Sequence, residues 1–167
     1  MFHALPDQLI VLCFLGLLAW AACSDALEFK IPNAASIGIA ALFPLYVVTS
    51  PSPVQWIWSA TIAVVVLCLG LALFARDFIG GGDVKLLSAT ALWAGPRFFL
   101  PMILVTALSG GALALLAWCL QRTQRHRMPA APGGGAGASA ATAPIQLPYG
   151  VAISVGAGLV GLRLLSG

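Results

Sequence analysis

The chain has 167 residues, of which 60% are hydrophobic and only 8% are charged, and its mean hydropathy is +1.01. Soluble domains carry about 25% charged residues, so this chain has too few polar side chains to cover a soluble enzyme. A net charge of +3 without interleaved basic and aromatic residues excludes a nucleic-acid-binding or disordered chain. The composition instead predicts an all-α, polytopic membrane protein with about six transmembrane helices of about 20 residues each.

The predicted spans are the apolar runs, which cover residues 8–24, 34–50, 55–75, 84–95, 98–120 and 148–165. Proline and glycine mark the breaks between them, at Pro32-Asn33, Pro51–Pro53, Gly80–Gly82 and Gly95-Pro96. The three consecutive glycines predict a flexible hinge, because glycine continues a helix only at an entropic cost. The fourth run is short unless the segment before it enters the membrane.

A single transmembrane domain over residues 1–167 is expected, with one long internal loop. Residues 121–147 are predicted to form a flexible cytoplasmic loop. Within it, residues 129–144 are almost entirely Ala, Gly, Pro, Ser and Thr. This low-complexity segment lacks the apolar bulk that a packed element needs, which predicts a disordered linker.

The distribution of basic residues predicts the orientation of the chain in the membrane. Positive charges gather in the odd-numbered loops, at Lys30, Arg76, Lys85, Arg122, Arg125 and Arg127. The even-numbered loops carry only Arg97. Because cytoplasmic loops are enriched in Lys and Arg, the odd loops are expected in the cytoplasm and both termini outside.

The acidic residues lie near the ends of the predicted spans, where a charge avoids the cost of about 2.5–3.5 kcal/mol at the bilayer centre. Asp25 follows the first span and Asp83 adjoins the glycine hinge. Two carboxylates at one wet site can share a proton, so that one activates water while the other polarises a peptide carbonyl. Structural roles are also open: Asp83 could cap a helix starting at Val84, and Asp25 could pair with Lys30.

Three segments resemble the motifs of one known family. Gly80–Leu87 resembles the G-x-G-D-x-K-L motif of type IV prepilin peptidases, a subgroup of the intramembrane GxGD aspartyl proteases. Asp25 with Ile31-Pro32-Asn33 resembles the D-x(5)-I-P-N motif of that family, and Pro148–Ile153 resembles its P-Y-G-x-A-I element. The three motifs occur in the family's order and extend over most of the chain.

The resemblance implies that Asp25 and Asp83 are the catalytic pair and that no metal or other cofactor takes part. It also implies supporting roles for the remaining motif residues: Gly80, Gly82, Lys85, Pro32, Asn33, Pro148, Tyr149 and Gly150. For Lys85, two roles are open. Its side chain could reach the lipid head groups, or it could tune the charge of Asp83.

The implied activity is removal of the leader peptide from a bacterial type IV prepilin, or a pseudopilin, whose hydrophobic N-terminal helix lies in the bilayer. The enzyme would be a multi-pass protein of the inner membrane, in contact with lipid, and would cut near the cytoplasmic face. The short first loop without paired cysteines resembles the small members of tight-adherence (Flp) pilus systems, which lack an N-methyltransferase region.

Two other functions remain open from the residues alone. A non-enzymatic transport or pilus-assembly subunit could use the same acids as a proton relay, although relay acids are expected in the middle of spans. A GxGD peptidase with a non-pilin substrate would carry the same motifs, and nothing in the chain separates it from a prepilin peptidase.

Overall fold

The computed structural model describes residues 4–127 and 148–166, and the regular structure in these ranges is entirely α-helical. The helices are α1 (Ala4–Glu28), α2 (Asn33–Thr49), α3 (Trp56–Phe74), α4 (Gly81–Arg127) and α5 (Tyr149–Ser166). All except α2 contain a stretch that is long and apolar enough to cross a membrane, and α2 is a shorter apolar helix. The predicted all-α, polytopic fold is therefore confirmed.

Helix α4 is divided by a kink at Gly95, where φ is 54° and ψ is −171°. Such a backbone conformation is essentially restricted to glycine. The apolar part of α4 has 40 residues, which corresponds to roughly 60 Å at 1.5 Å per residue, or about twice the hydrocarbon thickness. Of its two parts, residues 96–127 exceed the hydrocarbon thickness, whereas residues 81–94 extend only about 21 Å and fall short of it. The predicted break at Gly95-Pro96 is confirmed: two helical parts meet at this kink.

The two ends of α4 differ from the sequence prediction. Gly81 and Gly82 form the first turn of the helix, so the predicted glycine hinge is wrong at these positions. Asp83 is consequently the third helical residue and not a cap in front of Val84. The helix extends to Arg127, so residues 121–127 of the predicted loop are helical. The rest of that loop, including residues 129–144, lies outside the described residues.

A buried aromatic cluster joins α1, α2 and the first part of α4. The rings of Phe14 and Trp93 stack with centroids 4.3 Å apart, and Phe43 meets Trp93 edge-on at 5.9 Å. The indole Nε1 of Trp93 donates a hydrogen bond of 2.8 Å to the backbone oxygen of Ile39. This satisfied polar group inside an apolar cluster fixes how the three helices meet.

Helix α5 packs closely against α1 and α4 because it carries small residues at the contacts. A methyl group at Gly156 would collide with Thr106 of α4, and one at Gly161 would lie 2.5 Å from Leu15 of α1. Small residues at such contacts let helix backbones approach in the membrane, where packing drives association. This close packing places the start of α5 beside the end of α1.

Candidate active site

Asp25 lies in the last turn of α1 and is held by the first turn of α5. Its side chain is only 5% exposed. The backbone amide of Val151 donates to Asp25 Oδ2 over 3.3 Å, and the backbone amide of Gly150 also hydrogen-bonds this carboxylate. Amides in the first turn of a helix lack partners within the helix and favour negative charge. The start of α5 therefore positions the Asp25 side chain through backbone donors.

Gly150 permits this arrangement because it has no side chain. A Cβ atom at this position would lie 2.9 Å from Asp25 Oδ2 and 2.8 Å from Ile31 Cδ1. Both distances are shorter than side chains tolerate. The glycine of the Pro148–Ile153 segment thus allows the backbone of α5 to approach the carboxylate directly.

Asp83 is held by the start of its own helix. The backbone amide of Gly80 hydrogen-bonds the Asp83 carboxylate, while the Gly80 oxygen accepts a hydrogen bond of 3.2 Å from the Val84 amide. This is one half of a capping box, in which an acid at the third helical position reaches back to the residue before the helix. Both aspartates therefore face backbone amides at helix N-termini, a feature that sequence reasoning missed.

A cleft of about 530 Å³ brings the two aspartates together. Its walls come from the end of α1, the segment leading into α2 and the starts of α4 and α5, and they comprise Asp25, Phe29, Lys30, Ile31, Asn33, Gly80, Gly81, Gly82, Asp83 and Tyr149. Both carboxylates therefore belong to one cavity. All three motif segments meet in this cleft, which can hold water and a peptide between two acid–base groups.

Most of the other predicted site residues lie in or next to the cleft. Pro32 precedes α2 with extended backbone angles, and Asn33 is the first residue of that helix. Lys85 Nζ donates a hydrogen bond of 3.0 Å to Asn33 Oδ1, a pairing that neither predicted role of Lys85 included. Pro148 directly precedes α5, and Tyr149 lines the cleft. Sequence motifs identified both Lys85 and Asn33 but carried no sign that they touch.

Asp77 is an exposed residue of the segment between α3 and α4, with φ of 58°, and it is not a wall residue of the cleft. Within residues 4–127 and 148–166, there is no cluster of three His, Cys, Asp or Glu side chains that could hold a metal ion. The acidic groups in the walls of the cleft are Asp25 and Asp83.

An apolar cavity of about 510 Å³ adjoins the cleft and was not anticipated from the sequence. It shares Gly80, Asp83 and Tyr149 with the cleft. Its remaining walls are mainly aliphatic and come from α3, α4 and α5, including Leu69, Leu73, Val84, Leu87, Ile103 and Ile153. Asp83 therefore stands at a boundary between a polar and an apolar compartment.

Comparison with known proteins gives one significant match. The model of the type IV leader peptidase family matches residues 12–115, which is more than half of the chain. The matched part contains Asp25, Asn33 and Gly80–Lys85, whereas the Pro148–Ile153 segment lies beyond it. No curated protein and no solved structure matches significantly.

Proposed function

The chain belongs to the type IV leader peptidase family, and we propose that it is a membrane-embedded aspartyl endopeptidase acting on bacterial type IV prepilins. Its proposed reaction is hydrolysis of the bond that joins the leader peptide to the mature, Flp-type pilin. The observation that carries this proposal is the cleft whose walls include both Asp25 and Asp83, each beside backbone amides at a helix N-terminus.

The two carboxylates provide the acid–base groups that peptide hydrolysis needs. In the proposed mechanism, the ionised carboxylate removes a proton from water while the protonated one donates to the substrate carbonyl oxygen. The resulting hydroxide forms a bond to the carbonyl carbon and gives a tetrahedral intermediate. Collapse of this intermediate breaks the carbon–nitrogen bond, and the leaving amine takes up a proton from the site.

The two compartments beside Asp83 suit a substrate that changes from polar to apolar at the cleavage point. The cleft presents Lys30, Asn33 and backbone groups, whereas the adjoining cavity presents aliphatic side chains. A prepilin joins a polar leader to a hydrophobic helix, so its cleavage point would lie at this boundary. This complementarity supports a prepilin over a uniformly polar peptide.

The cytoplasmic face is the proposed side for cleavage. The segment between α1 and α2 and the segment between α3 and α4 both contribute to the cleft. These are the first and third predicted loops, and they therefore meet at one end of the bundle. A second cleft lies at the other end. It is lined by Ser52 of the segment between α2 and α3, by Gly95 and Arg97 at the kink of α4, and by Leu164 of α5, among others. Lys and Arg are in excess in the first, third and fifth predicted loops. This excess supports a cytoplasmic position for the end that carries the aspartates.

The proposal is tested by producing the full chain in bacteria together with an Flp-type prepilin, a pseudopilin or an unrelated membrane protein with a single N-terminal helix. We expect a gel shift of the prepilin, with the new N-terminus identified by sequencing. An inactive control carries both Asp25→Asn and Asp83→Asn. Cleavage of the unrelated protein alone would favour a peptidase with a non-pilin substrate, and cleavage of none of the three would contradict the proposed activity.

A further inference from the structure

We infer that the side-chain NH2 group of Asn33 donates a hydrogen bond to a substrate carbonyl in the cleft, and that Lys85 is the positioning residue that orients this amide. The inference rests on the proposed peptidase function and adds a substrate-binding group to it. It assigns to the Lys85–Asn33 pair a role in the reaction that goes beyond holding two helices together.

The orientation of the Asn33 amide follows from the chemistry of its partner. The ammonium group of Lys85 has three donors and no acceptor, so only the oxygen of the carboxamide can pair with it. Lys85 Nζ lies 3.0 Å from Asn33 Oδ1. Because oxygen and nitrogen occupy opposite branches of the planar amide, the NH2 group is directed away from Lys85. In this orientation the NH2 group, and not the carboxamide oxygen, is the part of Asn33 that is left to bind a substrate carbonyl.

The two residues face different spaces. Asn33 lines the cleft together with Asp25 and Asp83. Lys85 instead lines a separate groove of about 290 Å³ between α2, α3 and α4, whose other walls include Ser36 and Leu92. Lys85 is not among the wall residues of the cleft, so its contact with the reaction runs through Asn33. This placement favours an indirect role over direct tuning of the Asp83 charge.

The backbone on either side of Asn33 is constrained by Pro32 and by the first turn of α2. Pro32 holds a φ of −63° immediately before α2, and its oxygen accepts a hydrogen bond of 3.0 Å from the Ala35 amide. Asn33 thus projects from a fixed helix start. Donors that are positioned in advance stabilise the negative charge that develops on a carbonyl oxygen during hydrolysis, and loss of one such donor lowers kcat by about 10²–10³-fold in a known protease.

The competing explanation is a purely structural clamp between α2 and α4, and Asn33→Asp separates the two. An aspartate keeps the size of the side chain and an oxygen for Lys85, but it has lost the NH2 donor. A clamp would survive this change, since a charged pair replaces a neutral one. A substrate donor would not survive it.

The experiment measures kcat and KM for prepilin cleavage by the full-length enzyme reconstituted in lipid. We expect Asn33→Asp and Asn33→Leu to lower kcat to a similar extent, by roughly 100-fold. Lys85→Arg, which keeps a donor-only partner, should retain most of the activity. Lys85→Met should lower kcat by about tenfold. Adding Lys85→Met to Asn33→Asp should cause little further loss of kcat, because the effects of mutations at residues that act through one another do not add.

Wild-type kcat in Asn33→Asp together with loss of activity in Asn33→Leu would show a clamp alone and overturn the inference. A pH–activity profile identifies the remaining alternative, repulsion by the added carboxylate. In that case Asn33→Asp would recover at lower pH and Asn33→Leu would stay active, which also overturns the inference. If the wild type cleaves no prepilin, the proposed function fails and this inference fails with it. If cleavage depends on Asp25 and Asp83 but not on Asn33, only the inference fails.

Discussion

Each carboxylate of the cleft accepts hydrogen bonds from backbone amides, so its position depends on main-chain geometry more than on neighbouring basic side chains. Asp25 receives the amides of Gly150 and Val151, and Asp83 receives that of Gly80. Backbone donors at a helix start are fixed by the helix itself and lose little entropy on binding an anion. The site is therefore preorganised before substrate enters.

The first prediction is that Asp25→Asn and Asp83→Asn each abolish prepilin cleavage. The change preserves side-chain size but removes the acid–base group, whose contribution is about 10²–10⁴-fold in rate. Asp77→Asn is the matched control, because Asp77 is exposed and outside the cleft walls. Gel-shift assays on membranes containing equal amounts of each variant give the measurement. Full activity of either the Asp25 or the Asp83 variant would exclude the two-carboxylate mechanism.

The second prediction concerns the close approach at Gly150. We expect Gly150→Ala to lower kcat by about 100-fold, because displacing a catalytic group by about 1 Å has effects of this size. Gly158→Ala on the same helix is the control, since a Cβ atom there meets nothing within 4 Å. The two variants should insert and accumulate alike. Equal activity of both would mean that α5 does not position Asp25.

At the scale of the helices, apolar runs and Pro/Gly breaks located most elements, but the prediction of a hinge at the glycine segment was wrong. Three consecutive glycines favour a loop, yet Gly81 and Gly82 begin α4. The Asp83 carboxylate lies at the Gly80 amide, an arrangement typical of a helix start, and the run of glycines gave no sign of it. Gly95-Pro96 was identified as a break, because that dipeptide disfavours helix on its own.

The third prediction addresses the kink of α4. We expect Gly95→Ala to lower the free energy of unfolding by about 1–3 kcal/mol, the cost of placing a side chain in this backbone region. The new methyl group would also lie 2.8 Å from Ser59 Oγ. Gly111→Ala, in the second part of α4 with nothing within 4 Å, is the control. Thermal unfolding of the purified proteins in detergent compares them, and an unchanged midpoint for Gly95→Ala would contradict a kink that requires glycine.

At the scale of the whole molecule, the site depends on contacts between distant parts of the sequence. The hydrogen bond from Val151 to Asp25 joins positions 126 residues apart, and that from Lys85 to Asn33 joins positions 52 apart. Motif resemblance indicated the participants, since their residue types and order are visible in the chain. It could not indicate which of them touch, because such pairing follows from helix packing, at contacts such as those of Gly156 and Gly161.

The fourth prediction is the membrane orientation. Reporter fusions at Ser52 and at the C-terminus should read as outside, and fusions near Gly137 should read as cytoplasmic, because basic residues accumulate on the odd-numbered connections. Replacing Arg76 by Glu is a useful variant, since it weakens this charge bias without touching the cleft walls. A cytoplasmic reading at the C-terminus of the unmodified chain, with Ser52 outside, would mean that the predicted number of crossings is wrong.

The dependence of Asp25 on α5 has a consequence for biosynthesis. Asp25 leaves the ribosome early, whereas Gly150 and Val151, which bind its carboxylate, follow only after α4. A nascent chain that has inserted α1 to α4 therefore contains both aspartates but lacks one wall of the cleft and the donors for Asp25. The cleft is therefore complete only after the last helix has docked, so the proposed peptidase activity is expected only from a chain that has inserted α5.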